Sequence, residues 1–198
     1  MNKQIEDQSC AHYKGNGNLF IVSAPSGAGK TTLCREVLKQ IKGMEYSVSY
    51  TTRMPRKGEE NKIDYYFITK EAFKEKIKSG KWAEWAEVYG NFYGTSAEFL
   101  DARLTAGINL LLDIDVQGTI QIKKKYPDSI TIFIMPPSLE TLRTRLESRG
   151  TDNQHTIEMR LAIAEKEMKK KDLYRHIIIN DNLSTAVSEL IRAIKIYC

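Results

Sequence analysis

The chain has 198 residues, of which 41% are hydrophobic and 28% are charged, and a formal net charge of +5, as expected of one globular protein with a single core. It contains no apolar run near the ~18 residues of a membrane span, and its polar first residues lack the apolar segment of a signal peptide. Its three cysteines have no metal or disulfide spacing, so we expect reduced thiols and a cytoplasmic location.

The first part of the chain carries a phosphate-binding pattern. Residues 1–17 are polar, and we expect a flexible N-terminal extension; the apolar run 19–22 then predicts a buried strand, followed by APSGAGKT at 24–31. Strand, glycine-rich loop, Lys-Thr and helix is the order of a P-loop, whose backbone N–H groups surround phosphate oxygens. The residues that we expect at the phosphates are Ala24, Pro25, Ser26, Gly27, Ala28, Gly29, Lys30, Thr31 and Thr32.

Three positions of this loop carry separate expectations. Lys30 would reach the terminal phosphates, and Thr31 would offer its hydroxyl to Mg²⁺. Ala24 stands where the pattern G-x-x-x-x-G-K-[ST] has its first glycine, and this departure matters only if the position needs a positive φ. A strand, turn and helix with incidental glycines is the alternative interpretation.

Residues 49–95 predict a strand-rich insertion between two helices. The sequence from Thr95 to Glu98 has the form of a capping box, with Thr95 as the N-cap of a helix that continues to about residue 105. Gly90 marks a turn between two alternating aromatic segments. The elements predicted by residue spacing are helices over 31–41 and 70–80 and strands over 46–50, 64–68 and 82–93.

Two mainly apolar runs, 108–114 and 129–135, predict buried parallel strands. The first run leads into Asp113 and Asp115, as a strand that delivers acids to the carboxyl edge of a sheet would. The remaining predicted elements are a helix capped by Ser138, a capping box from Thr151 to Gln154, a charged helix over 157–172 with little apolar face, a strand over 177–180 and an apolar-striped closing helix.

The order of these elements predicts an α/β protein with the P-loop NTPase fold, a parallel sheet covered by helices on both faces. A strand-rich insertion and a helical lid would complete it. The predicted organisation is a flexible extension over 1–17, a core over 18–48, 96–137 and 171–198, an insertion over 49–95 and a lid over 138–170.

With these motifs placed, the chain resembles the guanylate kinase family over about residues 19–195. The resemblance rests on the P-loop and on seven further motifs that occur in order. These are S-Y-T-T-R-x-x-R-x-G-E at 49–59, D-Y at 64–65, E-W-A at 84–86, G-N-x-Y-G at 90–94, L-D-I-D-x-Q-G at 112–118, P-P-S at 136–138 and R-L-x-x-R-G at 145–150.

The resemblance implies Mg²⁺-dependent transfer of the ATP γ-phosphoryl group to GMP, with dGMP as a further acceptor, and a GMP-binding insertion and a mobile lid. Many family members have Ser at the position of Thr95, and a hydroxyl survives this change. The GMP-contacting positions carried over by motif are Ser49, Arg53, Arg56, Tyr65, Glu84, Tyr93, Thr95 and Asp115. The catalytic positions are Lys30, Arg53, Arg145, Arg149 and Arg160, and Mg²⁺ would be held by Thr31 and by Asp113, the latter directly or through water.

The chemistry of these residue types suits such a reaction. Arginines such as Arg53 and Arg56 match phosphate oxygens two at a time. A carboxylate such as Glu84 accepts hydrogen bonds from guanine N1–H and N2–H₂ and repels the N1 acceptor of adenine. No general base is needed, because the acceptor phosphate is already a nucleophile. Two alternatives stay open: Asp113 could be a structural acid, and Arg160 could pair with nearby glutamates.

The residues present in the chain disfavour other functions. The main alternative is a catalytically inactive, guanylate-kinase-like module that binds proteins, but such modules lose phosphate-handling residues that this chain keeps. A pyrimidine monophosphate kinase is disfavoured by Glu84 and by the motif at 49–56, and a nucleic-acid binder by the absence of aromatic stacking motifs. We expect nucleotides as ligands, with no nucleic acid, membrane or obligate protein partner.

Overall fold

A computed structural model of the chain describes residues 17–88, 90–148, 150 and 153–198. The predicted catalytic residue Arg149, the predicted capping residue Thr151 and all of the predicted extension except Gly17 lie outside the described residues. None of the described helices has the length and apolar character needed to cross a membrane.

The core is one sheet of five strands, and every pairing within it is parallel. The register places Val22 opposite Asp113, so the strand before the P-loop ends beside the strand that carries the acid. The strands are β1 (Leu19–Ser23), β2 (Met44–Tyr46), β7 (Asn109–Asp113), β8 (Ile130–Met135) and β9 (His176–Ile179), in the order β2-β7-β1-β8-β9.

Helices cover both faces of this sheet. On one face, α1 (Lys30–Gln40) and α7 (Leu183–Lys195) pack on the residues of β1, β7 and β8 that point to that side. On the other face lie α3 (Ala97–Thr105) and α4 (Val116–Lys125). Because both faces are buried at β1, β7 and β8, these central strands are mainly apolar rather than alternating. The predicted fold class is confirmed.

A second, smaller sheet lies between α1 and α3 in the chain. Its strands are β3 (Tyr50–Thr51), β4 (Tyr66–Phe67), β5 (Trp82–Val88) and β6 (Asn91–Ser96), in the order β4-β3-β6-β5, with α2 (Lys70–Lys78) packed on it. The buried Phe73 of α2 stacks on Trp82 and Phe92, with ring centroids 4.3 and 5.3 Å away. Stacked aromatic rings thus form the core of this unit.

The predicted strand at 46–50 is wrong in one respect, because this run belongs to two different sheets. Its first residue ends β2 of the core, and its last residue begins β3 of the smaller sheet. Alternating polar and apolar residues report a strand conformation but not which sheet a strand joins. The chain therefore crosses from one sheet to the other at residues 47–49.

Two helices, α5 (Leu139–Glu147) and α6 (Gln154–Met168), pack as a pair. The prediction that the second helix has little apolar face is wrong: Ile157, Leu161 and Ala164 are buried against α5. Two further apolar residues, Met159 and Ile163, are exposed at 46% and 41%, and they obscure the stripe in the sequence.

Helix capping confirms one prediction and corrects two. Ser138 caps α5 as expected, and its hydroxyl accepts from the Thr141 N–H. The cap of α3 is Ser96 rather than Thr95, because Thr95 still belongs to β6 and its hydroxyl contacts another element. The cap of α6 is Asn153, the residue directly before the helix.

Candidate active site

The loop between β1 and α1 is shaped to bind an anion. Gly27 and Gly29 have φ values of 96° and 91°, in the left-handed region that forms backbone nests. Helix α1 begins without a side-chain N-cap. Its first-turn N–H groups are therefore left for an external acceptor, and the helix dipole favours a negative one. The other described α-helices are capped by Thr69, Ser96, Asp115, Ser138, Asn153 and Asn182.

The structure also shows which loop positions need glycine. A Cβ atom on Gly29 would lie 2.5 Å from Asn180 Nδ2, so both its backbone conformation and the space around it require glycine. Ala24 is 95% buried. In the part of the chain that the structure describes, Lys62 is the only non-glycine residue with a positive φ. Ala24 therefore meets no conformational requirement for glycine.

Lys30, Thr31 and Asp113, which we call the P-loop group, are in direct contact. Lys30 forms an ion pair with Asp113, and its Nζ donates to the Ile114 carbonyl at 3.2 Å. The Thr31 hydroxyl donates to Asp113 Oδ2 at 3.2 Å. Burial alone would lower the pKa of Lys30, but the charge and hydrogen bond of Asp113 outweigh it. The pKa is raised, and the ammonium group stays charged.

The donors in the P-loop group fit a hard cation. A threonine hydroxyl and a carboxylate are the oxygen ligands that Mg²⁺ prefers, and kinases complete its coordination with substrate phosphates and water. Across the described residues, no cluster of three or more His, Cys, Asp or Glu side chains could hold a metal by itself. Thr31 and Asp113 lie where a phosphate in the loop would supply the remaining oxygens.

A cavity of about 330 Å³ lies beside the P-loop, where α5 meets the end of β9. Asn180 is one of its lining residues. Its side-chain Nδ2 donates to the Ala28 carbonyl at 2.7 Å, and its backbone carbonyl accepts from Arg145 Nη2 at 2.8 Å. Asn180 thereby connects the P-loop to the predicted lid arginine. The residues that line the cavity are Gly27, Gly29, Thr32, Arg145, Ser148, Asn180, Asp181 and Leu183.

The smaller sheet contributes an arginine held among aromatic rings. Arg53, Tyr65 and Tyr93, the arginine–tyrosine group, are neighbours: the Arg53 guanidinium carbon is 5.6 Å from the Tyr65 ring centroid, and the two tyrosine rings meet edge-to-face at 6.0 Å. Glu59 accepts from both terminal nitrogens of Arg53, at 2.9 and 2.8 Å. This contact raises the pKa of Arg53 against the effect of burial, and Tyr93 raises it further.

Tyr65 connects this group to the P-loop. Burial raises the pKa of its hydroxyl, the negative charge of Asp113 raises it further, and Lys30 opposes both effects. The charges of the P-loop group therefore contribute to the pKa of this hydroxyl.

Glu84, Thr95 and Asp115 form a third set, the buried acid group. Glu84 is only 5% exposed, and Oε1 accepts from the Thr95 hydroxyl at 2.7 Å. A Cβ atom on Gly118 would lie 2.8 Å from Glu84 Oε2, so glycine makes room for the carboxylate at the start of α4. Asp115 caps this helix by accepting from the Gly118 N–H at 2.7 Å.

The electrostatics of Glu84 differ from those of an ordinary glutamate. Burial raises its pKa to about 7; the Thr95 hydrogen bond opposes this rise, and the charge of Asp115 adds to it. A buried carboxyl with one protein partner retains unused acceptor capacity. It is therefore suited to a ligand that brings hydrogen-bond donors.

The remaining predicted residues lie around these three groups. Arg56 is exposed, and its backbone N–H donates to Glu59 Oε2 at 2.7 Å. Ser49 is half-buried directly before β3, and its carbonyl accepts from the Tyr66 N–H at 2.9 Å. Arg160 is half-buried on α6.

The sequence reasoning assigned no role to Glu59, Asn180 or Glu167. Glu59 could have been noticed, because an acid three residues after Arg56 stands inside a quoted motif. Asn180 contacts residues far from it in the chain, which no local pattern reports. Glu167 is half-buried on α6; burial raises its pKa to about 7, and Asp115 raises it further.

Three comparisons with known proteins agree with one another. A protein-family model described as guanylate kinase matches residues 16–197. The guanylate kinase of Geobacter metallireducens is 49% identical over 177 residues, which are 89% of this chain and 87% of the relative. That of Shewanella violacea is 49% identical over 180 residues, 90% of this chain and 87% of the relative.

A solved structure extends this similarity to three dimensions. The crystal structure of guanylate kinase from Anaplasma phagocytophilum is 32% identical and superposes with a TM-score of 0.75. The superposition covers 90% of this chain and 85% of that one.

Proposed function

The chain belongs to the guanylate kinase family and is an ATP:GMP phosphotransferase, and we propose that it performs this reaction with the three groups of residues described above. The P-loop group binds ATP, the arginine–tyrosine group binds the phosphate of GMP, and the buried acid group binds its base. Residues 49–95 then form the GMP-binding insertion, 138–170 the lid, and the other described residues the core.

On the ATP side, the uncapped N-terminus of α1 and the nest at Gly27 and Gly29 bind the phosphates through backbone N–H groups. Lys30 places its ammonium beside the terminal phosphate. Thr31 and Asp113, whose side chains are in contact, would hold Mg²⁺. The metal neutralises charge on the phosphates when it is bound.

On the GMP side, Arg53 supplies a planar guanidinium, and Tyr65 and Tyr93 supply hydroxyl donors. Arg56 reaches the same phosphate from the exposed side. These donors fix the attacking oxygen, which needs no deprotonation because the phosphate is already anionic. Catalysis is then mainly positioning and charge neutralisation, to which Arg145, Arg149 and Arg160 of the lid contribute.

The observation that carries the proposal is the buried Glu84 carboxylate, for which Thr95 is the one hydrogen-bond partner among the described residues. The guanine N1–H and N2–H₂ groups match its unused acceptor capacity, with Ser49 and Asp115 nearby. Adenine presents an acceptor at N1 and would leave this carboxylate unpaired, which costs binding energy in a buried site. The same chemistry admits dGMP, because it involves only the base.

The experiment is an assay of ADP release by the purified protein with Mg-ATP and a panel of nucleoside monophosphates. We expect turnover with GMP and dGMP and little with AMP, CMP or UMP. Binding of GMP without turnover would instead favour the catalytically inactive, protein-binding alternative. Equal rates with all four ribonucleotides would contradict the base-recognition proposal.

We also propose that the enzyme is cytoplasmic and needs no obligate protein partner. The location is supported by the cysteines in the described part of the chain, since no disulfide bond joins Cys34 and Cys198. Recovery of the native protein in the cytoplasmic fraction tests the location. The composition of the purified protein, which should contain this chain alone, tests the second statement. Recovery only as a complex with another protein would contradict the second.

A further inference from the structure

Glu59 contacts the predicted phosphate-binding arginine in a specific orientation. Its two carboxylate oxygens accept from Arg53 Nη1 at 2.9 Å and Nη2 at 2.8 Å, and Oε2 also accepts from the Arg56 N–H at 2.7 Å. Arg53 Nη1 donates in addition to the Met54 carbonyl at 2.7 Å. The two side chains are only 15% and 19% exposed, so solvent screens this ion pair incompletely.

The donors of Arg53 can be counted from these contacts. A guanidinium has five N–H groups in a fixed plane. Glu59 takes one from each terminal nitrogen, and the Met54 carbonyl takes the second one of Nη1. The remaining Nε–H and second Nη2–H are parallel and lie on one edge, and the Tyr93 hydroxyl interacts with the guanidinium as well. That edge is the one that can bind two oxygens of a phosphate.

The surroundings restrict the guanidinium further. The rings of Tyr65 and Phe67 lie 5.6 and 5.9 Å from its central carbon. The carboxylate of Glu59 is itself held through the Arg56 backbone. Arg53 therefore has a fixed direction before any ligand arrives, although arginine side chains are otherwise flexible.

We propose that Glu59 is a positioning residue, which holds Arg53 so that its Nε–Nη2 edge faces the GMP phosphate. This inference rests on the proposed role of Arg53 as a phosphate ligand. Glu59 occupies the end of the guanidinium and the phosphate occupies its side, so the two anions do not compete for the same donors. Glu59 acts on the phosphate through Arg53, its contact with Arg56 is to the backbone N–H that anchors the carboxylate, and it makes no contact with the base.

The test is a double-mutant cycle with the variants Arg53→Ala, Glu59→Ala and the pair together. Glu59→Gln is the conservative variant, since it keeps one acceptor oxygen. Glu60→Gln is the matched control, because Glu60 is the exposed neighbouring acid and its substitution removes the same charge. For each variant the measurements are KM for GMP, KM for ATP and the inhibition constant of guanosine, which lacks the phosphate.

We expect Glu59→Ala to raise KM for GMP by about 10-fold or more and to leave KM for ATP and the guanosine inhibition constant unchanged. Glu59→Gln should have an intermediate effect, Glu60→Gln none, and the double variant should resemble Arg53→Ala. A parallel loss of guanosine affinity would show that Glu59 merely maintains the loop. An unchanged or lower KM for GMP in Glu59→Ala would also overturn the inference.

The cycle separates this inference from the proposed function. If Arg53→Ala raises KM for GMP but Glu59→Ala does not, only the positioning role of Glu59 is overturned. If Arg53→Ala itself leaves KM for GMP unchanged, the phosphate-binding role of Arg53 fails, and the inference fails with it. Additive effects of the two substitutions would likewise contradict a role that acts through Arg53.

Discussion

At the scale of single residues, Glu84 has to satisfy two opposing demands. In its proposed role it must be buried to exclude water from the base, and it must be ionised to accept two hydrogen bonds from guanine. Burial raises its pKa to about 7 without a ligand. Because the ionised form is the one that binds guanine, GMP binding must release a proton whenever the carboxyl is protonated.

This linkage predicts a pH dependence. As the pH falls from 8 to 6, the protonated fraction of Glu84 rises, so KM for GMP should increase by up to about 10-fold per pH unit below the pKa. The measurement is KM for GMP and for ATP across this range, in the native protein and in Glu84→Gln. The variant corrects for the titration of the GMP phosphate itself. Identical pH profiles in both proteins would contradict the assignment.

Gly118 offers a test of the same carboxylate from the opposite side. Alanine is a better helix former than glycine, so helix propensity alone would stabilise Gly118→Ala. The added Cβ would nevertheless lie 2.8 Å from Glu84 Oε2 and displace it. We expect KM for GMP to increase several-fold while KM for ATP stays the same. Equal changes in both constants would point to a general disturbance of α4.

At the scale of secondary-structure elements, the P-loop depends on the residue that follows β9. Asn180 Nδ2 donates to the Ala28 carbonyl in a buried position. Loss of this donor leaves a buried acceptor unpaired, at a cost of about 1–3 kcal/mol. The loop conformation is therefore maintained by an element 152 residues away in the chain.

We expect Asn180→Ala to lower the free energy of unfolding by this amount and to raise KM for ATP more than KM for GMP. Asn180→Asp is the control variant of nearly equal volume, and it should be at least as damaging because a carboxylate cannot donate to a carbonyl. Urea unfolding and steady-state kinetics measure both effects. An Asn180→Asp protein with native stability and native KM for ATP would refute this role.

Features that depend on residues close together in the chain are predictable from the sequence, and features that depend on contacts between distant elements are not. Capping by Ser138 was predictable because the cap and its partner are three residues apart. The cap at Ser96 was missed because the Thr95 hydroxyl donates a hydrogen bond to Glu84 on another strand and does not cap the helix. The apolar stripe of α6 was missed because exposed Met159 and Ile163 obscure its period.

At the scale of the whole molecule, the smaller sheet is attached to the core unequally. Beside β5, the Gln121 side chain accepts from and donates to the Trp85 backbone at 3.1 and 2.8 Å, and Lys125 donates to the Trp82 carbonyl at 2.6 Å. On the Arg53 side, the ion pair of Arg35 with Asp64 has an arginine side chain that is 65% exposed. Exposed pairs contribute little stability, so the attachment on this side is weaker than the attachment beside β5.

This asymmetry predicts closure of the insertion and the lid over bound nucleotides, which excludes water from the transfer. The radius of gyration from small-angle scattering should decrease when GMP and a non-hydrolysable ATP analogue are both present. Each nucleotide alone serves as the comparison. An unchanged radius with both nucleotides bound would rule out closure of this kind.

The sequence indicated most of the candidate site, since family motifs mark Lys30, Arg53 and Glu84 directly. It could not indicate how they are held in place. Asn180 and Gly118 act through contacts between distant elements, and Glu59 acts through the direction of a hydrogen bond. Such contacts form only in the folded structure, so no local sequence pattern reports them.

The most direct test of the central claim, that Glu84 identifies guanine, is the ratio of kcat/KM for GMP to kcat/KM for AMP in the native protein and in Glu84→Gln. The amide replaces one acceptor by a donor, so the ratio should fall by about 10- to 100-fold, mainly through loss of activity with GMP. A variant that keeps the full native ratio would contradict the claim.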